Sequence, residues 1–185
     1  MTECKNIFEI LEELKENAKQ IDDDKLKEVE KLITEANRIF ISGAGRSGFA
    51  ARGFSNRLMH LGYTVYFVGE PTTPSIQEGD LLIVGSGSGN TASLVSNTKK
   101  AKEQGAKVAT LTMFPENTIG SMADAAIRIP GVTEKVEGKG QDSVQAAGSS
   151  FEELCWITYD AMVMDLMKLI NQTDKDLFKR HANME

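Results

Sequence analysis

Two loops rich in glycine and hydroxyl side chains hold the residues of this chain best suited to chemistry. Gly43-Ala44-Gly45-Arg46-Ser47-Gly48 follows the apolar run Ile39-Phe40-Ile41, and Gly85-Ser86-Gly87-Ser88-Gly89-Asn90-Thr91 follows Leu81-Leu82-Ile83-Val84. A loop that leaves the carboxyl end of a strand and runs into a helix aims unpaired backbone N–H groups, and the positive end of the helix dipole, at one spot. Such a spot binds anions. In the second loop Ser86, Ser88 and Thr91 add hydroxyl donors, Gly87 and Gly89 let the main chain approach closely, and Asn90-Thr91 opens a helix. A ring of hydroxyls and amides suits a phosphate monoester. The loop lacks the lysine that a Walker A sequence directs at the β- and γ-phosphates of a nucleotide. In the first loop, Arg46 offers positive charge and Ser47 a hydroxyl to a phosphate or a substrate hydroxyl.

The first loop taken alone permits another chemistry. Gly43-x-Gly45-x-x-Gly48 matches dinucleotide-binding spacing, and Glu70 falls about 20 residues later, where a ribose-binding acid belongs. Against that reading, Arg46 sits where close backbone approach is needed. The second loop is also left without a role, and 185 residues leave little room for a separate substrate domain.

The elements that would position these loops alternate. Apolar, β-prone runs at Ile39–Ile41, Thr64–Val68, Leu81–Val84, Val108–Thr112 and Ala125–Ile129 are separated by helical stretches at Ser47–Leu61 and Asn90–Gln104 and a short turn at Ile119–Met122. Strands that are apolar throughout, alternating with helices, predict a parallel sheet covered on both faces. Gly62 and Gly105 fall where helix ends favour a positive φ. Two amphipathic helices come first, the second capped from the Asp22-Asp23-Asp24 run. The stretch Gly131–Ala147 is polar and glycine-rich, a length that in a compact domain marks a functional or mobile connection. After it Ser149 or Ser150 is expected to cap a long helix ending near Ile170, apolar on nearly every side. That predicts a subunit interface. A short amphipathic turn at Asp174–Lys179 closes the chain.

Composition narrows the partners. Apolar residues are 41% and charged residues 26%, with a net charge of −6 and no basic run, which argues against nucleic acid or an anionic membrane surface as partner. The amino terminus has no signal-peptide shape and no apolar run approaches a membrane span, so a cytoplasmic location is expected. The two cysteines lack metal-ligand spacing, and Cys155 reads as a core residue. No His/Cys/Asp/Glu motif suggests a metal, so metal-independent chemistry without a cofactor is expected.

Gly85-Ser-Gly-Ser-Gly-Asn-Thr91 after a buried strand resembles the phosphosugar-binding signature of sugar isomerase (SIS) domains. Gly43-Ala-Gly-Arg-Ser-Gly48, Arg57-Leu-Met-His-Leu-Gly62, Gly148-Ser-Ser-Phe-Glu152 and Arg180-His-Ala-Asn-Met-Glu185 extend the resemblance, over essentially the whole chain, to the 6-phospho-3-hexuloisomerase family. The resemblance implies an α/β fold, a flavodoxin-like three-layer sandwich with a five-stranded parallel sheet. Residues 1–185 would form one SIS domain: N-terminal helices at 1–37, the core at 38–172 and a tail at 173–185. It further implies a homotetramer that interconverts D-arabino-hex-3-ulose 6-phosphate and fructose 6-phosphate in the ribulose monophosphate route of formaldehyde fixation, working with a hexulose-6-phosphate synthase.

Carried onto this sequence, the resemblance makes Glu152 the proton acceptor, with Glu153 turned roughly 100° away around the helix. Arg46 is assigned to the phosphate or to a developing enediolate oxygen. Ser47, Ser86, Gly87, Ser88, Gly89, Asn90 and Thr91 are assigned to substrate binding. His60 and His181 are catalytic candidates. In sugar isomerase relatives a tail histidine equivalent to His181 reaches a neighbouring subunit's site. Other aldose–ketose phosphate isomerases of this class, such as one for arabinose 5-phosphate, and non-catalytic phosphosugar sensors remain as alternatives. The former commonly carry nucleotide-sensing repeats and the latter a helix-turn-helix domain, neither of which is found in this chain.

Overall fold

The computed structural model describes residues 4–132 and 143–184, and within them the five apolar runs are strands of one parallel sheet. The elements follow in the order α1 (Lys5–Ala18), α2 (Asp23–Glu35), β1 (Ile39–Gly43), α3 (Gly45–Leu61), β2 (Val65–Phe67), β3 (Leu81–Gly85), α4 (Ala92–Glu103), β4 (Lys107–Thr112), α5 (Thr118–Met122), β5 (Ala125–Arg128), α6 (Ser149–Leu169) and α7 (Asp174–Lys179). The strand order is β2-β1-β3-β4-β5, the flavodoxin-like order, with its topological switch between β1 and β3. Of the polar connection expected over 131–147, residues 133–142 lie outside the described residues.

Alternate strand residues feed two cores. Ile39, Ile41, Leu81, Ile83, Leu111 and Ile127 face α2, α3 and α6, whereas Phe40, Leu82, Val84 and Val108 face α4 and α5. Burial on both sides explains why the strands are apolar at most positions, with charge only at the start of β4 (Lys107) and the end of β5 (Arg128). The result is three layers, with α6 laid over α3. At the amino ends of the strands Arg38 clasps the buried Asp80 through Nε (2.9 Å) and Nη2 (2.5 Å), and Asp80 also accepts the Gln77 N–H at 2.8 Å. This fork ties the start of β1 to the start of β3. Among the described residues no helix is long and apolar enough to cross a membrane.

Register decides where the two loops meet. Ile41 pairs with Ile83, and Gly43 pairs with Gly85, so both loops leave the sheet at the same level on adjacent strands. The first turn of α3 then folds back so tightly that a Cβ on Gly48 would stand 2.9 Å from Gly43 O, and one on Gly43 would stand 2.9 Å from Gly48 Cα.

Several boundaries differ from expectation for local reasons. Gly45 adopts φ +59 and lets α3 begin two residues before Ser47. α4 begins at Ala92 rather than Asn90, because the Asn90 side chain accepts the Thr118 N–H (3.2 Å) instead of continuing the helix. Neither Ser149 nor Ser150 caps α6. The cap is Gly148 at φ 84, while the Ser149 hydroxyl donates backwards to Ala146 O (2.7 Å) and the Ser150 hydroxyl is buried without a partner among the described residues. Gly62 (φ 99) and Gly105 (φ 77) do end their helices in the left-handed region, and Asp22 caps α2 by accepting the Asp24 N–H at 2.9 Å.

Because backbone lies on both sides of the Gly43–Gly48 contact, Gly48→Ala is expected to cost about 1–3 kcal/mol, read as a lower urea midpoint. An unchanged midpoint would contradict the tight β1–α3 approach.

Candidate active site

The two loops and the first turn of α6 enclose one cleft of about 270 Å³ at the carboxyl edge of the sheet. Arg46, Ser47, Ser86, Gly87, Ser88, Thr91 and Glu152 line it. Its apolar side is Leu94, Met113, Val132 and Phe151. A Cβ on Gly87 would meet Met113 Cε at 2.9 Å and Phe151 Cε1 at 3.3 Å, so a side chain there would have to displace the tip of Met113. Nothing in the spacing of these apolar residues distinguishes them from core, so the sequence does not single them out.

The cleft presents donors without acceptors. The Ser86 hydroxyl is buried and has no partner among the described residues. The Gly87 and Ser88 N–H groups likewise bond to none of them, whereas Ser86 N–H donates to Leu111 O at 3.0 Å. The first turns of α3, α4 and α6 all begin at this edge, so three helix N-termini add partial positive charge. Gly89 and Asn90 stand behind the wall rather than in it. Gly89 is buried at φ 65 with its carbonyl bound by Ile119 N–H (3.0 Å), and Asn90 is turned towards Thr118.

Glu152 faces this set from the opposite side. Its side chain is 19% exposed, and Arg46 Nε stands 2.8 Å from Oε2. The contact is an ion pair set off the line of a hydrogen bond, since Oε2 has no aligned donor. Burial raises the carboxyl above its ordinary value of 4.5; the positive charge of Arg46 opposes that rise, and Glu153 adds to it. Burial prevails. Glu153 does not line the cleft but closes an adjoining hollow of about 260 Å³ with Phe49, Ala50 and Trp156, its Oε2 buried and unpartnered among the described residues. One turn deeper, Cys155 is fully buried and burial pushes its thiol well up, as expected of a core residue.

The two histidines lie elsewhere. His60 is fourteen residues along α3 from Arg46, about 21 Å at 1.5 Å per residue. Its ring stacks on that of His181, with centroids 5.2 Å apart and planes at 14°. The C-terminal segment is held there by Arg180, whose Nη1 donates to His60 O at 3.0 Å. Burial, with Arg57 and His181 nearby, lowers the His60 pKa. Within one chain neither ring reaches the cleft. Glu70, the acid of the dinucleotide reading, is instead ion-paired with Arg52, whose guanidinium lies 3.8 Å from the centroid of Phe67.

Residues 32–154 match the model of the SIS domain. A 3-hexulose-6-phosphate isomerase of Bacillus subtilis (strain 168) is 41% identical over 179 residues, covering 97% of this chain and 97% of its own. One from Mycobacterium gastri is 36% identical over 180 residues, covering 97% and 90%. A crystal structure of a Methanococcus jannaschii protein, for which a 3-hexulose-6-phosphate isomerase function was inferred, is 32% identical with a TM-score of 0.80, covering 98% of this chain and 100% of that one.

The raised Glu152 pKa has a consequence for stability. An acid whose folded pKa exceeds its unfolded value contributes stability below the unfolded value and loses it as pH rises through the folded one. Glu152→Gln is therefore expected to become more stable relative to wild type as pH goes from about 4 to about 7, read from thermal midpoints. A stability difference that does not change with pH would contradict the burial argument.

Proposed function

The chain belongs to the SIS-domain family of sugar phosphate isomerases, and from that premise we propose that it interconverts D-arabino-hex-3-ulose 6-phosphate and fructose 6-phosphate through an enediolate. The observation that carries the proposal is the shared cleft: unpaired hydroxyl and amide donors on one wall and a half-desolvated carboxylate on the other.

Moving the ketone from C3 to C2 requires removal of the proton on C2, a 2,3-enediolate, and return of a proton to C3, with one hydroxyl proton passing from O2 to O3. One base on one face of the sugar suffices. In this reading Ser86, Ser88, Thr91 and the Gly87 and Ser88 N–H groups hold the phosphate, with Ser47 on a substrate hydroxyl. Gly89 and Asn90 serve by shaping the turn. Glu152 is the base that takes and returns the carbon-bound proton. A raised pKa suits that work, because the acid must both accept and release a proton near neutral pH. Arg46 keeps the carboxylate charged through Nε. Its Nη donors, unbonded to the described residues, are available to the enediolate oxygen.

The same reading makes the protein a single SIS domain over residues 1–185, working in the cytoplasm beside a hexulose-6-phosphate synthase that condenses formaldehyde with ribulose 5-phosphate. It assembles as a homotetramer. Exposed Phe49, Trp156, Ile157 and Met164 along α3 and α6 support an assembly of this kind. His60 and His181 would then act only across a subunit boundary, since their own chain holds them at the far end of α3.

A coupled assay tests the activity. Synthase, formaldehyde and ribulose 5-phosphate are expected to yield fructose 6-phosphate only when this protein is added; no increase over the synthase alone would overturn the proposal. Glu152→Gln should lower turnover by at least about 100-fold while keeping fructose 6-phosphate affinity within about tenfold. Near-normal turnover would remove Glu152 from the mechanism. Ser88→Ala combined with Thr91→Ala should raise KM more than it lowers kcat, because phosphate contacts act alike in ground and transition states. An unchanged KM would put the phosphate elsewhere.

A further inference from the structure

Four successive carbonyl oxygens of the serine-rich turn each accept a hydrogen bond. Ser86 O accepts from Gly89 N–H (3.2 Å), and Gly89 O from Ile119 N–H (3.0 Å). Gly87 O accepts both Met113 N–H (3.1 Å) and the Thr112 hydroxyl (3.2 Å). Ser88 O accepts the side-chain amide of Asn117 at 2.8 Å. Three of the four carbonyls are thus held by Thr112–Ile119, the run from the end of β4 into the first turn of α5. In a planar trans peptide the carbonyl and the next N–H point to opposite sides, so a fixed carbonyl fixes the direction of that N–H. The bonds to Gly87 O therefore fix the direction of the Ser88 N–H, which has no acceptor among the described residues and belongs to a residue that lines the cleft. The bond to Ser88 O fixes the Ser88–Gly89 peptide, whose N–H donates to Ser86 O; that bond in turn fixes the Ser86–Gly87 peptide and so the direction of the Gly87 N–H.

Asn117 is the unusual member. It occupies the N-cap of α5, where an asparagine ordinarily turns its side-chain oxygen onto an N–H of its own helix. It makes no such bond. Its amide nitrogen reaches a carbonyl 29 residues away in sequence, and only the NH2 end can bond a carbonyl, which settles the orientation of the amide. The contact is close on both sides: a Cβ on Gly89 would stand 3.2 Å from Asn117 Cβ and 3.2 Å from Thr112 Oγ1. Thr112 itself is fully buried, and its hydroxyl also accepts the Phe114 N–H at 3.3 Å.

We propose that Asn117, seconded by Thr112, is a positioning residue for phosphate: by holding the outer carbonyls of the serine-rich turn it aims the inner N–H donors at the anion. The proposal rests on reading that turn as the phosphate site. It differs from a helix-capping role in a way that can be measured, because aspartate caps a helix as well as asparagine but cannot donate to Ser88 O.

The experiment compares full-length wild type, Asn117→Ala, Asn117→Asp and Thr112→Val, titrating inorganic phosphate and fructose 6-phosphate and recording KM and kcat. Asn117→Ala is expected to weaken both ligands and raise KM by about tenfold, with kcat changed far less. Asn117→Asp should be worse than alanine, because it adds negative charge beside the anion. Thr112→Val should weaken phosphate by a smaller factor, since Met113 N–H still holds Gly87 O. Wild-type affinity in Asn117→Asp, or a fall in kcat and thermal midpoint with unchanged phosphate affinity, would overturn the proposal. A wild type that binds inorganic phosphate but not fructose 6-phosphate would overturn the substrate reading instead, and the phosphate titrations would still decide the role of Asn117.

Discussion

A protein of net charge −6 that is to hold a dianionic sugar cannot rely on its overall field, which repels the ligand. In the proposed site the constraint is met locally, by backbone. At the switch point between β1 and β3 the chain twice leaves the sheet through a glycine turn, with Gly43 and Gly85 at the same level. Three helices begin there. Hydrogen bonds to the outer carbonyls leave the inner N–H groups without acceptors, and the buried Ser86 hydroxyl joins them. Each such donor costs stability in the empty protein, of the order of 1–3 kcal/mol when buried. Binding an anion recovers it. The sheet edge is therefore the feature to which loops, helix starts and supporting side chains all conform.

The carboxylate opposite depends on a second balance. Desolvation alone would leave Glu152 a neutral acid, which cannot take a proton from carbon; full solvation would leave it too weak a base. Its half-burial and the adjacent Arg46 set the group between those limits. Arg46 is itself largely exposed and lines the cleft, with its Nε beside the carboxylate. In the proposed mechanism this charge serves the enediolate oxygen, and among the described residues no second basic side chain lines the cleft.

Much of this was legible in the sequence because it is local. The strands announce themselves as continuous apolar runs, and the loops as glycine and hydroxyl clusters directly after them, so the order of elements and the positions of the two glycine turns follow from neighbouring residues alone. The helix boundaries at Gly45, Ala92 and Gly148 did not, because a positive φ or a side chain bonded across the fold decides them. Asn117 carries no signal in sequence. An asparagine before a short helix reads as a cap, and only the register of β4 beside β3 brings it to Ser88. The stacking of His60 on His181 is equally invisible, since the rings are brought together by the return of α7 onto the end of α3. In Gly43-x-Gly45-x-x-Gly48 the sequence permits two chemistries. The structure shows the outer two glycines needed for close β1–α3 packing and Glu70 engaged with Arg52.

The central claim is that Glu152 moves a proton between C2 and C3 of a sugar whose phosphate is fixed at the serine-rich turn. The most direct measurement is proton NMR of fructose 6-phosphate incubated with the protein in D2O. The account predicts loss of the C3 proton signal through deuterium exchange, with Glu152→Gln leaving that signal intact. Exchange at C1 instead of C3, or equal exchange at C3 in Glu152→Gln, would contradict it.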